Sequence, residues 1–355
     1  MILIVSTTDD PHCDIVIREL NAMGTPWCRF NTELFPRHVH LEIAVRRNQF
    51  NASIHFPDKT INVAEIRSVW YRRPEPPIVS ALVTEPDARN VAQAETQSLL
   101  RQLWAAMHDK FWMSWPLNLR RSDQKLLQLR LAVMLGFILP ETIITQNAET
   151  VRQLAAEIGT ELAVKTISGI VIEKPVIRAV YTRKLQATQL ADLSSLSLCP
   201  ALFQNYVPKK SEIRVTVVHD TVFATEMETQ ADAKSAVDWR RGSPLRVPHK
   251  AQQLPEQIEQ ACLALVKHLG LSFGAIDLIR TPTDEYVFLE INGNGNWAWC
   301  EGLTGAPIAK KIAEVLSNPP AVESQFTTQG TKLDTIGEWG FARRQLGQLY
   351  PAFRK

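Results

Sequence analysis

Two acids and an amide, carried on two short apolar stretches, hold the clearest chemistry in this chain. Asp277 lies in Phe-Gly-Ala-Ile-Asp-Leu-Ile (273–279), and Glu290 and Asn292 lie in Val-Phe-Leu-Glu-Ile-Asn-Gly-Asn-Gly-Asn (287–296). Both stretches read as buried strands, with Thr281-Pro282-Thr283-Asp284 as the turn between them. Side chains alternate along a strand, so Glu290 and Asn292 share a face. If the two strands pair, Asp277 reaches that face as well. Three oxygen donors would then converge, a set that suits Mg²⁺ with water and nucleotide phosphates completing its shell. The plainer alternative is a hairpin with two incidental acids, but acids in buried strands seldom go without partners.

The elements that must position these groups fall into blocks. At 355 residues the chain is long enough for two or three domains with their own cores. Lys plus Arg exceeds Asp plus Glu by only 39 − 37 = 2, so no net field points to nucleic acid. No apolar run is long enough for a bilayer. The chain opens directly as a strand, Met1–Ser6, without the basic region of a signal peptide, and a cytoplasmic protein is expected. Cys13, Cys28, Cys199, Cys262 and Cys300 form no Cys-x-x-Cys pair and read as free thiols.

Residues 1–115 alternate strand and helix. Strands are expected at Ile2–Ser6, Trp27–Phe30 and Ser68–Arg73, and a meander over His38–Val45 and Ala52–Phe56. A helix over Asp14–Met23 is closed by Gly24, which favours the left-handed position past a helix end. Glu85–Met107 is a longer helix, either buried core or an interface. Beyond Trp115-Pro116, a helix is expected to begin at Ser122 and run to Leu135, and another to occupy Ala148–Glu157. Leu162–Lys165 reads as a strand, Ile170–Ile172 with Val176–Val180 as a hairpin, and Ala201–Pro208 as a strand broken by proline. Ile213–Val218 and Val222–Met227 form an antiparallel pair, a helix spans Pro255–Leu269, and a last helix spans Ile308–Leu316. Residues 319–355 read as a polar tail.

Four separated features line up: Lys125 at a helix start, Lys165 at a strand end, Gln204-Asn205-Tyr206-Val207-Pro208 followed by Glu212-Ile213-Arg214, and the paired acid strands. Together they resemble the ATP-grasp ligase superfamily over roughly residues 115–316. Val-Trp-Tyr-Arg-Arg (69–73), Asp238-Trp239-Arg240, Gly-Ala-Ile-Asp (274–277) and Phe-Leu-Glu-Ile-Asn (288–292) narrow the resemblance to the microviridin-type (graspetide) maturases of ribosomal peptides. The resemblance implies an α/β chain, an ATP-grasp fold of two α+β subdomains clasping ATP, preceded by an α/β pre-ATP-grasp domain. The expected division is 1–115, 116–205, 206–318 and a tail 319–355.

The resemblance also gives these residues expected roles. Lys125 and Lys165 are point charges suited to ATP phosphates. Gln204 and Asn205 offer amides to adenine, and the Val207 backbone completes that edge. Glu212 accepts from ribose hydroxyls. Arg214 and Arg240 suit a transferring phosphoryl group or a substrate carboxylate, which a guanidinium holds bidentately. Asp238 either orients Arg240 or serves as a base. Asp277, Glu290 and Asn292 are the Mg²⁺ ligands. The implied reaction turns Asp or Glu side chains of a precursor peptide, leader plus core, into acyl phosphates. Ser, Thr or Lys then attacks, closing a macrolactone or macrolactam. A ligase adding an amino acid to a small molecule or a protein end, like glutathione synthetase or the glutamate ligases, is the rival reading.

The resemblance implies a homodimer too, and an acidic leader docking on the basic 170–184 segment, with Lys174, Arg178, Arg183 and Lys184. The chain departs from relatives at Asn205, where many carry Glu, and after Asn292, where Gly293-Asn294-Gly295-Asn296 replaces a common Asn-Pro. Trp297, Trp299 and Glu301 follow that loop as candidates for lining an acceptor pocket.

Overall fold

The first strand, Ile2–Ser6 (β1), is buried along its whole length, as a central strand of a parallel sheet must be. It is flanked on one side by Trp27–Asn31 (β2) and on the other by Ser68–Tyr71 (β6), which pairs in turn with Phe111–Met113 (β7), all parallel. Between β1 and β2 runs helix Pro11–Ala22 (α1). Asp10 caps it by accepting from His12 N–H at 2.9 Å, and Pro11 sits at its first turn, where its missing N–H costs nothing. Gly24 has φ 64°, as expected for the residue that turns the chain out of this helix. The meander is three-stranded: His40–Arg46 (β3), Gln49–His55 (β4) and Thr60–Asn62 (β5). Helix Pro86–Ala106 (α2) buries Leu100, Leu103 and Trp104, while its first half is exposed.

A computed structural model of the chain describes residues 1–159, 161–168, 171–172, 178–179, 181–242 and 246–322. Within it, Met1–Pro320 form one compact unit. The loop of the hairpin expected at 170–180, Lys174 included, and the tail from residue 323 lie outside the described residues. The paired ends of that hairpin, Val171–Ile172 (β10) and Arg178–Ala179 (β11), are antiparallel as expected.

The segment after Trp115 corrects one expectation. Ser122 ends a helix rather than starting one: Pro116–Ser122 (α3) stops there, and Lys125–Met134 (α4) follows. Ser122-Asp123 looks like a helix cap in sequence, but Pro116 sets the helix start one and a half turns earlier. The Ser122 hydroxyl instead donates back to the Leu119 carbonyl at 2.7 Å.

A four-stranded sheet comes next, in the order β12-β9-β13-β8. Its strands are Thr142–Thr145 (β8), Leu162–Lys165 (β9), Arg183–Lys184 (β12) and Ala201–Asn205 (β13), with helices Ala148–Ile158 (α5) and Ala187–Ala191 (α6). The β-branched β8, Thr-Ile-Ile-Thr, went unread because four residues show too little periodicity.

The last block is a five-stranded antiparallel sheet, β16-β15-β14-β17-β18. It comprises Ser211–Val218 (β14), Thr221–Met227 (β15), His249–Gln252 (β16), Phe273–Arg280 (β17) and Tyr286–Asn292 (β18). Ile213, Val215, Ile276, Leu278 and Phe288 face helix Glu256–His268 (α7) and form one core. Alternation therefore sends Glu212, Arg214 and Asp277 to the opposite face. Helices Ala298–Thr304 (α8) and Ile308–Ser317 (α9) return the chain to the first sheet. There Ile308 and Ile312 pack with Val16 and Leu20 of α1, and the Ser68 hydroxyl donates to the Leu316 carbonyl at 2.7 Å.

Candidate functional site

Cross-strand register builds the centre of the site. Asp277 stands opposite Arg214 on β14 and opposite Glu290 on β18, so the three residues form a row across the sheet. A bulge in β18 beside Asp277 puts two residues, Leu289 and Glu290, where one would sit, and both face the cleft. Phe288 and Ile291 on either side still reach the α7 core. Asn292 lies two residues beyond Glu290 and is exposed. Its Oδ1 accepts from Asn294 N–H at 2.9 Å, leaving one lone pair outward.

The acids are surrounded by cations. Arg214 Nε lies 3.0 Å from Asp277 Oδ1. Glu290 pairs with Lys125 at the head of α4 and, at 3.4 Å, with Arg240. Burial raises the Asp277 carboxyl to about 6, against the pull of Arg214. Burial would raise Glu290 too, but Lys125, Arg240 and Lys165 outweigh it and hold that carboxyl down to about 2. Asp277 Oδ1 is buried without a hydrogen-bond donor aligned to it. The Asp277 and Glu290 carboxylates and the Asn292 amide are hard oxygen donors, a set whose chemistry fits a magnesium-type ion. Among the described residues no group of three or more His, Cys, Asp or Glu side chains gathers to hold a metal.

Next to this centre lies a narrow cleft between the central and last sheets. Gln204, Asn205, Val207 and Glu212 all line it, as do Lys165, Asp238 and Arg240. Ala163, Val207, Ile279 and Leu289 give it apolar walls suited to a flat heterocycle. Gln204 is nearly buried and donates through Nε2 to Thr142 Oγ1 at 2.9 Å, which fixes its amide. Asn205 Oδ1 is buried with no donor, an acceptor that fits the exocyclic amine of adenine. Glu212 is buried against Lys209 Nζ at 2.8 Å and Thr229 Oγ1 at 3.3 Å, and burial raises its carboxyl. Lys209 was not legible as a site residue, because nothing in sequence distinguishes it from its neighbour Lys210.

Asp238 and Arg240 form one unit. Arg240 Nε and Nη2 donate to the two oxygens of Asp238 at 2.9 and 2.8 Å, and Thr182 N–H donates to Oδ2 at 3.1 Å. Burial opposes its ionisation, yet these bonds hold the Asp238 carboxyl below the usual range. Both oxygens being engaged, the geometry suits orientation of Arg240 rather than proton abstraction. The intervening Trp239 covers the Arg214 guanidinium at 5.1 Å.

A second, wider and open pocket adjoins the cleft and includes Lys125, Asp123, Gln128 and Asn292. The two pockets share Lys165, Thr182, Gln204, Arg240, Leu289 and Glu290. The Lys165 ammonium makes no ion pair or hydrogen bond to the described residues, and desolvation lowers it. Two expected residues lie elsewhere. Trp297 is fully buried in the core beside α1 and α9, and Glu301 accepts from Ala309 N–H at 2.7 Å at the start of α9. Trp299 packs against Trp239 with the rings tilted and centroids 5.3 Å apart, one layer behind the pocket.

A family model for the RimK-like ATP-grasp domain matches residues 122–316, and one for the MvdD pre-ATP grasp domain matches residues 1–119. The chain belongs to the RimK-like ATP-grasp family. Among solved structures, the RiPP-associated ATP-grasp ligase of Chryseobacterium gregarium, in complex with ADP and a leader and core peptide, is 30% identical with a TM-score of 0.83, covering 90% of this chain and 97% of that one. The macrocyclase MdnC of Microcystis aeruginosa MRC, bound with precursor peptide MdnA, is 31% identical with a TM-score of 0.78, covering 90% and 100%. A probable alpha-L-glutamate ligase of Histophilus somni is 24% identical over 194 residues, 54% of this chain. The chain spans 62% of the length of that curated relative.

Proposed function

We propose that this chain is an ATP-dependent ligase that activates Asp or Glu side chains of a ribosomal precursor peptide and closes them onto Ser, Thr or Lys as esters or amides. The observation that carries the reading is the seam between the two pockets. Lys165, Arg240 and Glu290 belong to both, so a nucleotide in the walled cleft and a peptide carboxylate in the open pocket meet there. The likeness at 30–31% identity to proteins crystallised with a precursor peptide or with leader and core peptides supports that substrate class.

Each residue then has a task. Asn205 and the Val207 backbone hold adenine, Gln204 is locked by Thr142 beside it, and Glu212 takes the ribose. Lys165 and Lys125 meet the phosphates. Asp277, Glu290 and Asn292 hold Mg²⁺, which neutralises phosphate charge when bound. The peptide carboxylate attacks the γ-phosphorus, ADP leaves, and an acyl phosphate remains. The acceptor oxygen or nitrogen adds to the acyl carbon, the bond from that carbon to the bridging oxygen breaks, and the departing phosphate keeps that oxygen and takes the acceptor's proton. Arg240, held by Asp238, and Arg214 stabilise charge growing on the transferring group.

The leader is assigned to an apolar groove that runs on from the open pocket, lined by Val164, Arg183, Leu185, Leu196 and Phe203. The chain's division near residues 115 and 205, its cytoplasmic location and a homodimer belong to the same reading. Ile78, Leu82 and Val91 expose apolar surface at the start of α2, where a second copy would pack. No helix among the described residues is long and apolar enough to cross a membrane. Amino-acid ligation is the alternative, favoured by the glutamate-ligase similarity of the ATP-grasp part. Comparing ADP release with a leader-bearing peptide and with free glutamate decides between them. Release on glutamate alone would overturn the peptide reading.

A further inference from the structure

The Arg72-Arg73 pair of the first domain reaches into the loop that follows the metal-type centre. Arg72 Nη1 donates to the Asn294 carbonyl at 2.6 Å, and Arg73 Nε donates to the same oxygen at 2.8 Å. Arg72 Nη2 donates to Asn296 Oδ1 at 2.9 Å. One residue on, Trp297 N–H donates to His12 Nε2 at 3.3 Å. The loop is thus pinned at three positions by side chains more than two hundred residues earlier.

The pins are themselves braced. Asp10 lies between them, 3.0 Å from His12 Nδ1 and 3.4 Å from Arg72 Nε, and all three side chains are buried. His12 can accept from Trp297 and donate to Asp10 only as the Nδ1–H tautomer, so Asp10 sets its orientation. Arg73 holds φ at 42°, a region non-glycine residues rarely occupy, and its side chain ends on the loop. A buried guanidinium whose donors are spent on a distant loop carbonyl has a positioning task rather than a surface one.

Asn294 carries the effect to the centre. Its carbonyl is gripped by the two arginines, while its N–H fixes Asn292 Oδ1. Gly295 presses on the other side: a Cβ there would stand 2.2 Å from Ala275 Cβ and 3.2 Å from Arg214 Nη1. One short loop therefore sets both the Asn292 amide and the space around Arg214. We infer that Asp10, His12, Arg72 and Arg73 are positioning residues that hold the 293–297 loop so that Asn292 presents its free lone pair to a divalent cation. The inference rests on the metal role proposed for Asp277, Glu290 and Asn292.

The test uses the full chain, Mn²⁺ as a paramagnetic substitute and a non-hydrolysable ATP analogue, with bound Mn²⁺ read by electron paramagnetic resonance. Arg73→Met and Asn296→Ala are the informative variants, since Arg72→Met removes a buried charge and is kept only if it remains folded. Removing such outer contacts should weaken Mn²⁺ binding about 10-fold or more. Metal-free affinity for the analogue should stay unchanged, and amide exchange should speed up across 293–297. Asp277→Asn separates the two readings. If it abolishes Mn²⁺ binding while folded Arg73→Met and Asn296→Ala bind as wild type, the clamp is overturned and the metal site stands. If Asp277→Asn binds Mn²⁺ normally, the metal reading falls and the clamp with it.

Discussion

Asp277 and Glu290 face each other directly across the β17–β18 pair, yet their carboxyls are driven in opposite directions, Asp277 up to about 6 and Glu290 down to about 2. Both are penalised by burial. Glu290 has Lys125, Arg240 and Lys165 around it, whereas Asp277 has Arg214 as its close cation. Two carboxylates stand side by side in this row, with Arg214 beyond Asp277 and Lys125 and Arg240 beyond Glu290, the arrangement from which the Mg²⁺ role is proposed.

Glu290→Gln keeps shape but removes the charge that Lys125 and Arg240 share. Loss of several kcal/mol of charge stabilisation predicts a fall of about 100-fold or more in ADP formation. Steady-state ADP release at saturating Mg²⁺ is the measurement, and turnover near wild type would remove Glu290 from the site.

Desolvation lowers the half-buried Lys165 ammonium below the ordinary lysine range. Bound phosphates favour its charged form, so ATP affinity should fall as pH rises through that lowered value. Over the same range, calorimetry in buffers of different ionisation enthalpy should show proton uptake on binding. Lys165→Met should bind ATP more weakly and lose the proton uptake. Equal ATP binding by the variant would mark Lys165 as an ordinary strand end.

Gly295→Ala drives a methyl into Ala275, where neither partner has a flexible end to move. A cost of about 1–3 kcal/mol is expected, with the 293–297 loop displaced and activity lost. The denaturant midpoint checks the first part, and an unchanged midpoint would show that the loop tolerates the shift.

Arg240→Lys keeps charge and loses the fork that both oxygens of Asp238 grip. Peptide modification should slow strongly while ATP binding changes little, because Arg240 sits at the seam rather than on the apolar walls. Asp238→Asn should cost less than Arg240→Lys if Asp238 only orients the guanidinium. Single-turnover rates of acyl phosphate formation compare the two.

Much of this architecture was legible because its signals are local. Ile2–Ser6, Leu162–Lys165 and the acid strands announce themselves as apolar runs with turn residues between them. That Asp277 stands opposite Glu290, and that Glu290 and Asn292 line one pocket, follows from pairing and alternation. The bulge at Leu289 was not legible, since register irregularities depend on the partner strand. Nor were the tasks of Arg72 and His12, whose partners lie more than two hundred residues away. Ser122 was misread because a cap signal says what a residue can do, not which neighbouring helix uses it. Trp297 was misread because chain proximity to Asn292 says nothing about which way a loop turns its rings.

The most direct measurement follows the oxygen that activation must move. A leader-bearing peptide with its Asp or Glu side-chain carboxylates labelled with heavy oxygen is incubated with the enzyme and MgATP. Acyl phosphate chemistry predicts ADP as the nucleotide product, loss of one water from the peptide per ring, and one heavy oxygen in the phosphate for each ring closed. Crosslinked peptide accompanied by unlabelled phosphate, or by AMP in place of ADP, would contradict the account.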